Sequence, residues 1–206
     1  NELNNTSPRR SGKNYPHVHF PDTHLEVKWV ANAILNKNSI EWMNKANDRY
    51  PEQFSILIQE YQKEMALRMD NYSFCLDTGA VMALHGIRDT KDLDYIAAGN
   101  SEKPIVNGRM ESHNPQYEGY NREAREIVEN PSFHFYYKNM KYSTLDEVKA
   151  FKKYRYKAFS PSQSALKDKT DVILIEKYLN NQMELRYKNI INDNNFLNNI
   201  NRSDSV

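Results

Sequence analysis

The sequence predicts an α/β (α+β) domain: a small mixed sheet flanked by helices. Three observations carry that reading. Residues 75–95, Cys75-Leu76-Asp77-Thr78-Gly79 through Lys91-Asp92-Leu93-Asp94-Tyr95, read as a buried strand, a tight turn at Gly79, a short apolar helix and a second strand. Thr23-x-x-Glu26 and Thr144-x-x-Glu147 are capping-box patterns, each followed by apolar residues at helical spacing. Phe133-His134-Phe135-Tyr136-Tyr137 is an aromatic run of strand length.

Taken in order, residues 1–15 are an arm of Asn, Ser, Pro, Arg, Gly and Lys without core-forming side chains. His17-Val18-His19-Phe20 reads as a short strand closed by Pro21-Asp22. The first capped helix runs through Trp29, Val30 and Ile34, and a second short helix holds Ile40, Trp42 and Met43. Pro51 opens a third, with Phe54, Ile58, Tyr61 and Met65 spaced for one buried face. Residues 99–120 are rich in Gly, Pro and Asn and read as a loop with one strand near Ile105. A helix over Glu123 to Val128 leads to the aromatic strand, and the second capped helix follows with Leu145, Val148 and Phe151 on one side. The last strong helix spans about Ser164 to Leu179. Residues 181–206 form an Asn-rich polar tail, either a marginal helix or without structure.

The bulk numbers narrow the function classes. A chain of 206 residues with 39% hydrophobic residues, 14 Tyr and 8 Phe supports one domain with a true core. A net charge of +1 argues against a protein that binds nucleic acid through overall charge, so any anion site is local. The lone Cys75 excludes a disulfide framework and points to a reducing, cytoplasmic setting. No apolar run reaches bilayer length, so no membrane span is expected. The chain opens on Asn1 rather than Met, which is read as a sign of a longer parent polypeptide.

The chemistry concentrates at residues 77–94. A strand repeats every two residues, so Asp92 and Asp94 project from one face. Two adjacent carboxylates repel unless a cation lies between them, and hard oxygen ligands suit Mg²⁺. The turn at Thr78-Gly79 leaves backbone N–H groups at the start of a helix, a setting for phosphate. Metal ligands beside a phosphate cradle point to phosphoryl or nucleotidyl transfer. Other residues say less. His17-x-His19 with His24 lacks a fourth zinc ligand and reads more plainly as histidines near a strand edge. Cys75 reads as core, and His113 falls in the loop after the metal strand.

The segment resembles the core signature of the nucleotidyltransferase-fold superfamily related to DNA polymerase beta. Its elements here are Leu76, Thr78-Gly79, Leu84-His85-Gly86, Arg88-x-Thr90-Lys91 and Asp92-Leu93-Asp94. A second block, Lys149-Ala150-Phe151-Lys152-Lys153-Tyr154-Arg155 followed by Lys167-Asp168-x-x-Asp171, is similar to the basic helix and Lys-Asp-x-x-Asp pattern of minimal bacterial nucleotidyltransferases, including the toxin type of abortive-infection systems. The two blocks span roughly residues 73–180 and stand in the family's order. The resemblance implies a nucleotidyltransferase-like domain over residues 16–180 that moves a nucleoside monophosphate from ATP or another NTP to an acceptor hydroxyl. In that reading Asp92 and Asp94 hold Mg²⁺, Thr78 and Gly79 hold the β- and γ-phosphates, and Arg88 and Lys91 neutralise phosphate oxygens.

One departure from the family pattern stands out. Members carry a third acid on a neighbouring strand, often as base for the acceptor hydroxyl, but residues 133–137 contain no carboxylate. His134, Asp168 and Asp171 are the candidate substitutes. The basic group that includes Lys149 and Lys153 is either a solvated helix face or a wall of the nucleotide site, with Tyr154 and Tyr156 able to stack on a base. The acceptor stays open among a small molecule, a glycan, RNA and a protein. Two rivals are a nucleotide-binding domain without turnover and a phosphotransferase acting on a sugar or glycan intermediate.

Overall fold

A computed structural model describes residues 23–45, 52–66, 73–98, 109–113, 119–120 and 122–203. The N-terminal arm, the strand expected at His17–Phe20 and the one near Ile105 lie outside the described residues. The chain is a mixed α+β fold with seven helices and a five-stranded sheet among the described residues. Helices α1 (His24–Ile34), α2 (Lys37–Met43) and α3 (Glu52–Ala66) precede β1 (Phe74–Asp77). Then come α4 (Thr78–Leu84), β2 (Leu93–Ala97), β3 (Met110–Ser112), α5 (Ala124–Glu129), β4 (His134–Tyr137), β5 (Met140–Ser143), α6 (Leu145–Ala158) and α7 (Gln163–Ser203).

Local chemistry explains several of these elements. The capping box at Thr23 and Glu26 forms in both directions, Glu26 N–H donating to the Thr23 hydroxyl at 3.1 Å and Thr23 N–H to the Glu26 carboxylate at 3.3 Å. Asn36 caps α2 through Ser39 N–H at 2.9 Å. The Thr144 side chain, by contrast, makes no cap bond at α6. Between β4 and β5, Lys138 and Asn139 both take left-handed backbone angles (φ 47° and 61°), the pattern of a two-residue hairpin turn. That hairpin is an addition to the single aromatic strand expected from sequence. α7 continues unbroken to Ser203, so the segment expected to be marginal carries the helix onward.

The sheet order is β3-β2-β1-β5-β4, with β1 at the centre. β1 runs antiparallel to β2 and parallel to β5; β2 runs parallel to β3. The sheet's two faces bury unequal cores. On one, Phe74, Leu76, Tyr95 and Tyr142 meet α4, the Phe54–Leu57–Tyr61 face of α3, and Trp42 of α2. On the other, Cys75 and Ile96 meet Tyr120, Ile127, Val128 and Phe151. Asp77 and Asp94 lie two residues along from Cys75 and Ile96, and therefore project to this smaller face. No helix among the described residues is long and apolar enough to cross a membrane.

Candidate functional site

The site grows from the turn between β1 and α4. Thr78 opens α4 with φ 39°, a left-handed angle unfavourable for a β-branched residue. That conformation directs its hydroxyl to donate to the Asp94 carboxylate across the sheet. Gly79 follows for a steric reason: a Cβ there would lie 2.4 Å from Thr90 Oγ1 and 3.2 Å from Thr90 Cβ. Thr90 in turn donates its hydroxyl to the Asp92 carbonyl at 2.8 Å. The loop from Arg88 to Asp92 is thus folded down onto the turn. The Cβ side of Gly79, part of the expected phosphate cradle, is covered by Thr90.

Asp92 is exposed, whereas the Asp94 side chain is only 17% exposed. Asp77 faces Asp94 in register and is fully buried. It accepts from Ser143 Oγ at 2.6 Å and from the Tyr120 hydroxyl, and lies 3.3 Å from His113 Nδ1. The other ring nitrogen of His113, Nε2, stands 3.5 Å from Asp94 Oδ1, so one imidazole bridges the two carboxylates. Tyr120 and Phe151 stack at 4.2 Å, and His113 lies against the same Phe151 ring at 5.1 Å.

Burial raises the Asp94 pKa, and the charges on Asp92 and Asp77 raise it further against the opposing His113 and Thr78. Burial would also raise Asp77, but its bonds to His113, Ser143 and Tyr120 outweigh this and hold it below the usual range. For His113, burial favours the neutral ring, yet the hydrogen bond to Asp77 and the charges on Asp94 and Asp77 raise its pKa overall. Negative charge is therefore crowded around Asp94, and a cation is the natural relief. Asp92 precedes β2, which begins at Leu93, so the strand alternation expected to set Asp92 and Asp94 on one face does not extend to Asp92, although its charge still acts on Asp94. Among the described residues, no group of three His, Cys, Asp or Glu side chains is drawn together as a ready metal cage.

The other expected site residues divide into those near this cluster and those away from it. Asp171 on α7 is buried and receives Arg88 through two bonds, from Nε at 2.7 Å and Nη2 at 2.9 Å. Lys152 bridges Asp171 at 3.2 Å and Asp168 at 2.7 Å, and Arg155 holds Asp168 at 3.0 Å. Burial alone would raise the Asp171 pKa, but Arg88 and Lys152 lower it overall. Both aspartates are occupied in anchoring cations, an arrangement suited to placing Arg88 beside Asp92 and Asp94 rather than to taking up a proton. Lys91 is exposed on the approach to β2. Lys149 pairs with Asp146 at 3.0 Å and Lys153 with Glu176 at 2.8 Å, along the α6–α7 pair and outside the Asp77–Asp94 cluster.

The strand beside β2 differs from the expected one. The aromatic strand becomes β4 at the far edge of the sheet, separated from β2 by β1 and β5, because its hairpin with β5 claims it. His134 there is 2% exposed and donates Nδ1–H to the Ile127 carbonyl at 2.9 Å, away from Asp92 and Asp94. The neighbours of β2 are β1, which sets Asp77 opposite Asp94, and β3, which sets Glu111 opposite Asp94 on the other side. Glu111 is an exposed carboxylate in register with a metal-site candidate, two residues before His113. Sequence reasoning passed over Glu111 and Asp77, and took Lys152 only as a member of the basic block, not as the buried partner of Asp168 and Asp171. The available signal was the Glu111-Ser112-His113 alternation inside a segment that reads as loop.

Comparison with protein-family models, curated proteins and solved structures gave no match for this chain.

Proposed function

We propose that the chain is a Mg²⁺-dependent nucleotidyltransferase that moves a nucleoside monophosphate from an NTP to an acceptor hydroxyl. The observation that carries this reading is Asp94: a mostly buried carboxylate, crowded by Asp92 and Asp77, beside an arginine tied to the body of the fold. Asp92 and Asp94 would hold Mg²⁺, which supplies charge neutralisation for a triphosphate and its leaving pyrophosphate. Arg88, fixed by Asp171 and within reach of the Asp92 and Asp94 charges, and the exposed Lys91 would offer cationic contacts to phosphate oxygens. Thr78 holds the Asp94 carboxylate in orientation through its hydroxyl. His113, oriented at Nδ1 by Asp77, presents Nε2 beside Asp94 and is placed to hold or receive a proton at that point. A cytoplasmic setting is supported by the single, buried and unpaired Cys75.

The reaction class is tested by mass spectrometry of the products. The protein is incubated with Mg²⁺, each of the four common NTPs and an acceptor panel of tRNA, simple sugars and the protein itself. The expected products are pyrophosphate and an acceptor heavier by one nucleoside monophosphate, both lost in Asp94→Asn. A mass gain of one phosphoryl group would replace this reading with phosphotransfer.

A further inference from the structure

One cavity among the described residues lies away from Asp92 and Asp94. It encloses about 320 Å³ between α2, the start of β4, the start of α6 and the middle of α7. α7 reaches both places: Asp171 meets Arg88 near the carboxylate cluster, and Tyr178, seven residues or about 10 Å further along the helix, lines the cavity. The volume falls at the lower end of the range for small-molecule pockets, about 300 to 1,000 Å³.

Its chemistry is specific. Trp42 and Phe135 stack at 5.7 Å as an apolar wall. His85 stands edge-on to Phe135 and to Tyr178, and its Nδ1 lies 3.2 Å from the Tyr178 hydroxyl. Its Nε2 has no hydrogen-bond partner among the described residues. Burial, with the charge of Lys45, lowers the His85 pKa to about 4, so this residue of the cavity lining is neutral and one of its ring nitrogens has no partner among the described residues. The rim is rich in acceptors. Asn38 directs its amide N–H group to the Pro131, Ser132 and His134 carbonyls, and its Oδ1 has no partner among the described residues. Glu41, Asp146 and Glu147 add carboxylates, each already in an ion pair, with Lys45 at 3.9 Å, Lys149 at 3.0 Å and Arg122 at 3.0 Å respectively. Lys45 is the only lysine or arginine among the described lining residues.

A phosphate or carboxylate ligand would find no lining cation that is not already paired with an acid. A purely apolar ligand would leave His85 Nε2 and Asn38 Oδ1 unpaired. A neutral ring bearing several hydroxyl donors satisfies both conditions, with its C–H face on the aromatic wall. We propose that this cavity is a binding site for such a ligand, a neutral sugar residue, recognised by His85 and the acceptor rim. The site is independent of the nucleotidyl-transfer reading.

Saturation-transfer NMR on the full chain tests it, with glucose, galactose and N-acetylglucosamine as probes and with glucose 6-phosphate and adenosine as competitors of other chemistry. Transfer to the ring protons of at least one neutral sugar is expected. Binding should weaken about tenfold in His85→Phe, which keeps a ring but removes the nitrogen, and should be unchanged in Asp94→Asn. If His85→Phe fails to fold, Gln182→Trp, which fills the mouth from α7, is expected to abolish the signal. Absence of transfer to all three sugars, preference for glucose 6-phosphate or adenosine, or undiminished transfer in the folded cavity variant would overturn the proposal.

Discussion

Gly79→Ala is expected to destabilise the protein by about 1–3 kcal/mol through overpacking and to reduce turnover by about a hundredfold through misplacement of a reacting group. The added methyl would lie 2.4 Å from Thr90 Oγ1, a distance that side chains do not tolerate. Thr90 has little freedom to move away, because its hydroxyl is bound to the Asp92 carbonyl at 2.8 Å and its backbone N–H to Asp89 Oδ1 at 2.8 Å. Any shift of Thr90 therefore carries Asp92 with it. The double variant Gly79→Ala, Thr90→Ala separates the two effects: it removes the clashing hydroxyl and should recover much of the lost stability, but not the activity, since the tie to Asp92 is gone. Urea denaturation reads the first effect and pyrophosphate release the second. A single variant with wild-type stability and turnover would mean that the loop is not seated on Gly79.

Acidification from pH 6.5 to 4 is expected to cost the fold several kcal/mol, on the order of 1–3 kcal/mol for each of two histidines. His85 and His134 both have pKa values lowered to about 4, chiefly by burial. In the unfolded chain each regains a value near 6.5, so between those limits the unfolded state binds more protons and stability falls as pH falls. Of the other shifted groups, Glu176, lowered by its pair with Lys153, acts in the same direction near its unfolded value of 4.5, and the rest act elsewhere or in opposition. His113, with a raised pKa, adds stability that is fully present below 6.5 and is lost only as pH rises through its folded value. Asp77, with a lowered pKa, adds stability that begins to fall only as pH drops below its unfolded value near 3.8. Asp94 and Glu147, both raised, bind protons in the folded state first and soften the loss at the acid end of the window. Denaturation midpoints at several pH values between 6.5 and 4 should show the decline, flattened in His85→Phe combined with His134→Gln. A flat wild-type profile, or one equally steep in the double variant, would contradict the assignment.

Much of the fold was legible because the governing signals are local. The capping box at Thr23, the helix α3 over Glu52–Ala66 and the strand–turn–helix–strand at 74–97 follow from spacing and turn chemistry within a few residues. The order of strands was not legible in the same way. Which strand lies beside β2 depends on pairings between distant segments, and β3 is only three residues long, Met110–Ser112, too short to show a period. That single gap hid Glu111 and gave the neighbouring position to the aromatic strand. Asp168 and Asp171 were visible as a charged pair on a helix, but their association with Arg88, Lys152 and Arg155 arises from the packing of α6 on α7. Asp77 was read as part of a buried strand; its role as acceptor for Ser143, Tyr120 and His113 exists only once three separate segments meet.

The central claim is that Asp92 and Asp94 form a cation site that holds a nucleoside triphosphate. Isothermal titration of an NTP into the wild-type chain, with Mg²⁺ and with EDTA, and into the double variant Asp92→Asn, Asp94→Asn, tests it most directly. Saturable binding that requires Mg²⁺ and disappears in the double variant is the predicted result. Equal binding by both proteins, or binding indifferent to Mg²⁺, would contradict it.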